Sequence, residues 1–213
     1  MSEMFEVGRA TSRGTTTKVF TNTPPSLGAV WELSAAHGDA PYVVFEEDRW
    51  TDADAHRAVG RLARYLAGDL GVAKGDRVAI AMRNYPEWAV TLWAATSVGA
   101  VVVPLNAWWT GPELAYGLGH SRATVLVADR ERLERLAPHL GDNPVSAVVA
   151  VRTDDLPAGA VRWDDALASG AGGARDGLPA VEIGPEDDCT IMRKVLKRQL
   201  RDELAAQAAT GAR

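Results

Sequence analysis

Residues 74–130 read KGDRVAIAMRNYPEWAVTLWAATSVGAVVVPLNAWWTGPELAYGLGHSRATVLVADR, and no other stretch restricts the fold as tightly. Residues 77–82, RVAIAM, form a short, mostly apolar run after a Lys74-Gly75-Asp76 turn, the pattern of a strand covered on both faces. Pro86 then opens a helical segment with a broad apolar face from Trp88, Val90, Leu92, Trp93, Ala95 and Thr96. Gly99 stands where a helix C-terminus favours a left-handed residue, and AVVV at residues 100–103 follows as a second buried strand. This is a βαβ unit, whose crossover should be right-handed.

The pattern then repeats. Thr110 and Glu113 have capping-box spacing with Pro112 in the first turn, predicting a helix from about Gly111 to His120. TVLVA at 124–128 is the next strand, and Asp129 can cap a helix from Arg130 to about Leu136, limited by Pro138. Short apolar strands alternating with helices predict an α/β fold, a mainly parallel, doubly wound sheet with flanking helices.

Around this core the signals are weaker. Residues 1–24 are polar and Thr/Ser-rich and read as a flexible arm. Ser26 can cap a helix ending at His37-Gly38, residues 42–45 and 49–50 suggest a hairpin, and Thr51 starts a long helix closed by Gly71. Residues 147–151 read as a strand and Val161-Arg162-Trp163 as an edge strand before a capped turn at Asp164-Asp165. The domain so outlined spans 25–168. SGAGGARD, within a linker and truncated segment at 169–190, reads as a surface connector. Residues 191–213 read as a basic amphipathic helix with Ile191, Val195, Leu200 and Leu204 near one stripe. For residues 190–192 a strand and this helix compete.

GDRVAIAMRNYPEW at 75–88, GAVVVPLN at 99–106, TGPEL at 110–114 and ATVLVAD at 123–129 together resemble the N-terminal part of the class I adenylate-forming (AMP-dependent synthetase/ligase) family. The LNAWWTG wording at 105–111 resembles its fatty-acid–CoA ligase branch. The resemblance implies an AMP-forming acid–CoA ligase lineage: carboxylate, ATP and CoA give acyl-CoA, AMP and pyrophosphate, with ATP, Mg and CoA as the family's cofactors. In that family a segment like PEDDCTIM at 185–192 runs into a Gly/Ser/Thr phosphate loop. Here RKVLKRQLR follows instead and resembles the family's extreme C-terminus, where Lys194 matches the adenylation lysine and Arg193 replaces a glycine. Two ends of a protein more than twice this size read as joined between Thr190 and Lys194. The resemblance therefore implies a chain lacking the phosphate loop and most of the active site, expected to bind none of these cofactors alone.

Other candidates carry less. TSRGTTTK at 11–18 echoes the family's phosphate loop, but Arg13 and Thr17 replace glycines that let backbone approach phosphate, and no strand precedes it. His37, His56, His120 and His139 lie on separate elements without i, i+4 pairing, which argues against a metal site. Asp154-Asp155, Asp164-Asp165 and Asp187-Asp188 sit where side chains cap turns, and Trp108-Trp109 suits packing or a subunit contact. A net charge of −5 argues against nucleic acid, and no apolar run approaches membrane-spanning length. One cysteine, Cys189, fits a reducing, cytoplasmic setting. The expected partners are a fatty or other carboxylic acid in the family, and a homo-oligomer or a full-length ligase for a non-catalytic scaffold derived from it.

Overall fold

The computed structural model describes residues 6–12, 14–172 and 177–191. Its centre is a five-stranded sheet of β5 (Arg77–Ala81), β6 (Val101–Pro104), β7 (Val125–Asp129), β8 (Ala147–Val151) and β9 (Val161–Arg162). The spatial order is β6-β5-β7-β8-β9 and every pairing is parallel. Because side chains alternate across a strand, each central strand feeds two cores. Val78, Ile80, Val125, Val127, Val149 and Val151 face one side. Ala79, Ala81, Leu126, Ala128 and Ala150 face the other.

Helices cover both sides. The first core takes α1 (Leu27–Ser34), α2 (Asp52–Arg64), α3 (Pro86–Ser97) and α6 (Trp163–Ser169), through residues such as Trp31, Leu62, Val90 and Ala166. The second takes α4 (Gly111–Ser121) and α5 (Arg130–Leu136), through Leu114, Leu118, Leu133 and Leu136. The doubly wound parallel fold expected from the sequence is therefore present, and its caps are the expected ones. Thr51–Asp54 and Thr110–Glu113 form capping boxes, Ser26 accepts the Ala29 N–H, and Asp129 accepts the Arg132 N–H. Gly99, at φ +76°, lets the chain turn from α3 into β6, and a side chain there would press on Lys74.

Four segments depart from the sequence reading. Residues 7–20, expected as part of a flexible arm, form an antiparallel hairpin of β1 (Val7–Ser12) and β2 (Thr15–Phe20). Ladder hydrogen bonds satisfy a backbone whose Thr-rich side chains suit a half-exposed pleated surface. The helix from Thr51 is α-helical only to Arg64 and widens into a π turn at Tyr65–Asp69, with the Leu70 N–H reaching the Tyr65 carbonyl at 3.1 Å. Trp163 starts α6 rather than ending a strand, because its buried ring belongs to the helix-covered core and Asp164 and Asp165 fill the helix's first turn. Finally, the described part of the expected linker lies against the domain. Gly170 sits so close to α2 that a Cβ would lie 1.9 Å from the Arg61 carbonyl oxygen, and Arg64 donates to the carbonyls of Gly170 and Gly177 at 2.6 Å each.

The hairpin of β3 (Pro41–Phe45) and β4 (Asp48–Thr51) closes one end of the first core over an aromatic cluster. Trp31, only 2% exposed, stacks on His56 at 4.1 Å and Trp93 at 5.0 Å and meets Tyr42 edge-on at 5.4 Å. The Trp93 indole donates to the Tyr42 hydroxyl at 2.9 Å. Burial holds His56 below its ordinary value of 6.5, against the opposing pull of Asp52 and Glu32. The unfolded chain thus binds the His56 proton first. Its contribution to stability is complete above about pH 6.5 and is lost as pH falls through the interval between the unfolded and the lowered folded value. Urea unfolding at pH 7.5 and 5.5 should show a smaller loss of stability at the lower pH in His56→Gln than in the unsubstituted chain.

Candidate functional site

In an open parallel sheet, ligands favour the crevice beyond the carboxyl ends of two adjacent strands whose following helices lie on opposite faces. Here β5 leads to α3 on one face, and its neighbour β7 leads to α5 on the other. The crevice between them is occupied by the protein's own groups. Asp129, the last residue of β7, accepts the Arg83 N–H at 3.0 Å across the gap, the Arg132 N–H at 3.1 Å and the Arg132 guanidinium at 3.0 Å.

Arg132 is 1% exposed. Its Nε donates to the Ala107 carbonyl at 2.8 Å, its Nη1 also reaches Glu131 at 2.9 Å, and its Nη2 has no hydrogen-bond partner among the described residues. Arg135 donates to the carbonyls of Ala107 and Trp109 at 3.2 and 2.9 Å. Together the two arginines pin the loop after β6, which presents Trp108 at 70% exposure with the Arg83 guanidinium 4.3 Å above its ring. Trp109 turns inward against the second core. The Trp108-Trp109 pair is thus split between a surface and a packing role.

A second ionic tie lies one strand over. Arg152, directly after β8, has a left-handed φ of +53° and donates to Glu87 at 2.9 Å and to Asp48 at 2.7 Å. It also lies 5.0 Å from the rings of both Phe45 and Tyr85. It binds β8 to the start of α3 and to the β3–β4 hairpin. The adjoining clefts, of about 620 and 270 Å³, are lined by acidic and basic groups in near balance. In them Arg130 pairs with Glu134 and Arg162 with Asp154. What this edge does chemically is hold loops: Arg130, Arg132, Arg135, Arg152 and Arg162 are committed to carboxylates and carbonyls.

The sequence candidates are not brought together. Lys194 lies outside the described residues, as do Met192, Arg193 and the rest of the expected tail helix. His56 packs in the aromatic cluster, while His120 stacks on Tyr116 at 5.4 Å. Among the described residues no group of three His, Cys, Asp or Glu is placed to hold a metal ion, and no helix is long and apolar enough to cross a membrane. Residues 11–18, which echo a phosphate loop, belong to the β1–β2 hairpin. Of the Asp pairs, Asp154 engages Arg162, Asp164 and Asp165 begin α6, and Asp187 meets Lys74 at 2.6 Å. That bond and the Gly184 N–H hold the Asp187 carboxyl below its ordinary value of 3.8. The Arg83–Asp129 bond and the Arg152–Glu87 pair had no sequence signal beyond Asp129's capping position, because their partners lie 46 and 65 residues apart in the chain, although Arg132 follows Asp129 by three.

The strand that should follow the linker begins at this sheet. Val102 donates to the Cys189 carbonyl at 2.9 Å, Ile191 donates to the Val102 carbonyl at 2.8 Å, and Thr190 makes a parallel bridge to Val102. For residues 190 and 191 the strand reading therefore prevails over the helix. Residues 30–192 match the family model described as AMP-binding enzyme. The chain belongs to the AMP-binding enzyme family. It is 33% identical over 147 residues to the long-chain-fatty-acid–CoA ligase FadD13 of Mycobacterium tuberculosis, covering 68% of this chain and 27% of the relative. It is 37% identical over 142 residues to a feruloyl-CoA synthase of an Amycolatopsis species, covering 67% and 25%. Among solved structures, the inhibitor-bound N-terminal domain of FACL13 from Mycobacterium tuberculosis superimposes with a TM-score of 0.66 at 26% identity, covering 82% of this chain and 42% of that one. The chain thus spans about a quarter of the length of these curated relatives, and its sheet corresponds to the N-terminal domain of acyl-CoA ligases.

Breaking one half of the buried Asp129–Arg132 pair leaves an uncompensated charge. Asp129→Ala should cost about 3–5 kcal/mol in urea unfolding. In a double-mutant cycle, Asp129→Ala with Arg132→Met should cost at least about 1 kcal/mol less than the sum of the single changes.

Proposed function

We propose that this chain derives from an AMP-forming acyl-CoA ligase but does not itself adenylate a carboxylic acid. The observation that supports this reading is the crevice between β5 and β7, where Asp129 and Arg132 are spent on bridging the loops. Activation of a carboxylate by ATP requires a triphosphate held by backbone donors, a metal ion and a cation while the acid attacks in line. Among the described residues no strand runs through a Gly-rich loop into a helix. The sequence after Met192 contains one glycine, Gly211.

The relatives' names support a fatty or aromatic carboxylic acid, with CoA, as the lineage's substrates. Lys194 is the single residue matched to a catalytic position of the family. In a complete site such a lysine stabilises charge developing on the reacting oxygens, on the order of 3 kcal/mol for one preorganised donor. We assign it no such role in this chain.

Exposed Trp108, held by Arg83 on a loop fixed by two arginines, favours a second reading. In it the chain is a non-catalytic scaffold that pairs with itself or with a full-length ligase. A rigid, exposed tryptophan is a suitable anchor for such a contact.

ATP–pyrophosphate exchange with fatty and cinnamic acids should remain at background. Exchange that is robust and disappears in Lys194→Ala overturns the proposal. For the scaffold, light scattering of the chain alone and mixed with a full-length acyl-CoA ligase should show a species larger than the monomer that is lost in Trp108→Ala; monomers throughout count against it.

A further inference from the structure

Beside the aromatic cluster, α1, α2 and residues 177–178 border a cleft of about 590 Å³. Arg57, Arg61 and Arg64 stand at i, i+4 and i+7 on α2, which puts them on one stripe, and all three line the cleft. They are not equivalent. Arg57 pairs with Asp54, and Arg64 donates to the carbonyls of Gly170 and Gly177. Arg61 is exposed and has no hydrogen-bond or ion-pair partner among the described residues. Glu32 is the acid of the lining. Gly60 leaves room between these groups: a Cβ there would lie 3.3 Å from Arg64 Nη1 and 3.5 Å from the Gly177 carbonyl oxygen.

The other polar group of the cleft is His56, whose ring lies on Trp31. Ser34 Oγ donates to the Trp31 carbonyl at 2.8 Å, so toward His56 Nε2, 2.9 Å away, it can only accept. Asp52 Oδ1 lies 3.3 Å from the same nitrogen, on a side chain 4% exposed. Both neighbours favour a proton on Nε2. That leaves Nδ1 as a lone-pair acceptor, with no partner among the described residues. Burial, which holds His56 below its ordinary 6.5, keeps the ring from taking a second proton near neutrality. Trp31 also lines the cleft, and its buried indole N–H has no acceptor among the described residues. The cleft thus combines an unengaged guanidinium, an unengaged imidazole lone pair and an indole N–H without an acceptor.

We propose that this cleft binds a phosphate monoester, with Arg61 holding its oxygens, His56 Nδ1 sharing its proton and the apolar group of the ester lying against Leu178. Leu178 lines the cleft and packs on the first core. The choice of phosphate follows from protons. A phosphate monoester titrates at about pH 6, so near that pH it offers both acceptors for a guanidinium and a proton for an imidazole lone pair. A carboxylate carries no proton there, and would have to bind with His56 charged, which burial opposes. The cleft shares no lining residue with the one beside Asp129 and Arg132, so the proposal is independent of the adenylation and scaffold readings.

Titration calorimetry of the full chain at about pH 6, with phenyl phosphate, inorganic phosphate and benzoate, tests it. Phenyl phosphate should saturate one site, more tightly than the other two, and should move the His56 Nδ1 resonance in nitrogen-15 NMR. Arg61→Ala, an exposed change that should leave urea unfolding unaltered, should weaken binding at least about tenfold through loss of a charge-assisted contact. Glu32→Gln, which removes a like charge, should strengthen it. Absence of saturable binding overturns the proposal, as does binding that Arg61→Ala leaves unchanged. Equal affinity for benzoate overturns it by making the cleft a site for any anion, and equal affinity for inorganic phosphate by removing the ester.

Discussion

Parallel strands have no hairpin to hold them and no solvated face to spare, so each must be covered twice. Ile80 and Leu126 express that constraint: both are fully buried, one toward the core under α2 and α3, the other toward the core under α4 and α5. A strand of five residues cannot satisfy both demands unless its helices return alternately to either side. The winding of the sheet, and the divergence of the loops after β5 and β7, follow from that requirement.

The divergence opens a crevice that in this fold class is the usual seat of a ligand. Asp129 closes it. It takes one backbone N–H from the loop after β5 and two donors from Arg132, and Arg132 in turn holds the loop after β6. Burying an ion pair is costly, and replacing it by apolar groups is often neutral or favourable. The pair's physical role here is geometric, since it fixes three loops that approach from two faces. Arg152 repeats the device at the next strand end, with Glu87 and Asp48 holding a left-handed backbone that costs about 1–3 kcal/mol by itself. The edge at which chemistry would be sought is thus organised as an anchor for loops.

The opposite margin of the sheet carries the end of the family match. The domain shares its fold with the N-terminal domains of acyl-CoA ligases, and the family match ends at residue 192, beside the last rung on β6. Lys74, Asp187 and the Val102–Ile191 bond hold residues 182–191 on this margin. The described residues thus place the start of an outer strand on β6, next to an apolar groove.

Much of this was legible in the residues. The apolar runs at 77–82, 100–103 and 124–128, the capping positions Thr51, Thr110 and Asp129, and Gly99 declared a parallel, doubly wound domain, because strand burial and helix capping are local in sequence. Local pattern failed where long-range contact decides conformation. The hairpin of residues 7–20 depends on cross-strand pairing, α6 on the burial of Trp163, and the docking of residues 170–172 on the fit of Gly170 against α2. By itself, then, the sequence determined the fold class, the family and the caps. Only the tertiary structure decided that Asp129 would bridge to Arg83 and that Thr190 would meet Val102, since both depend on which strands become neighbours, and neighbourhood is a property of the packed sheet rather than of any one segment.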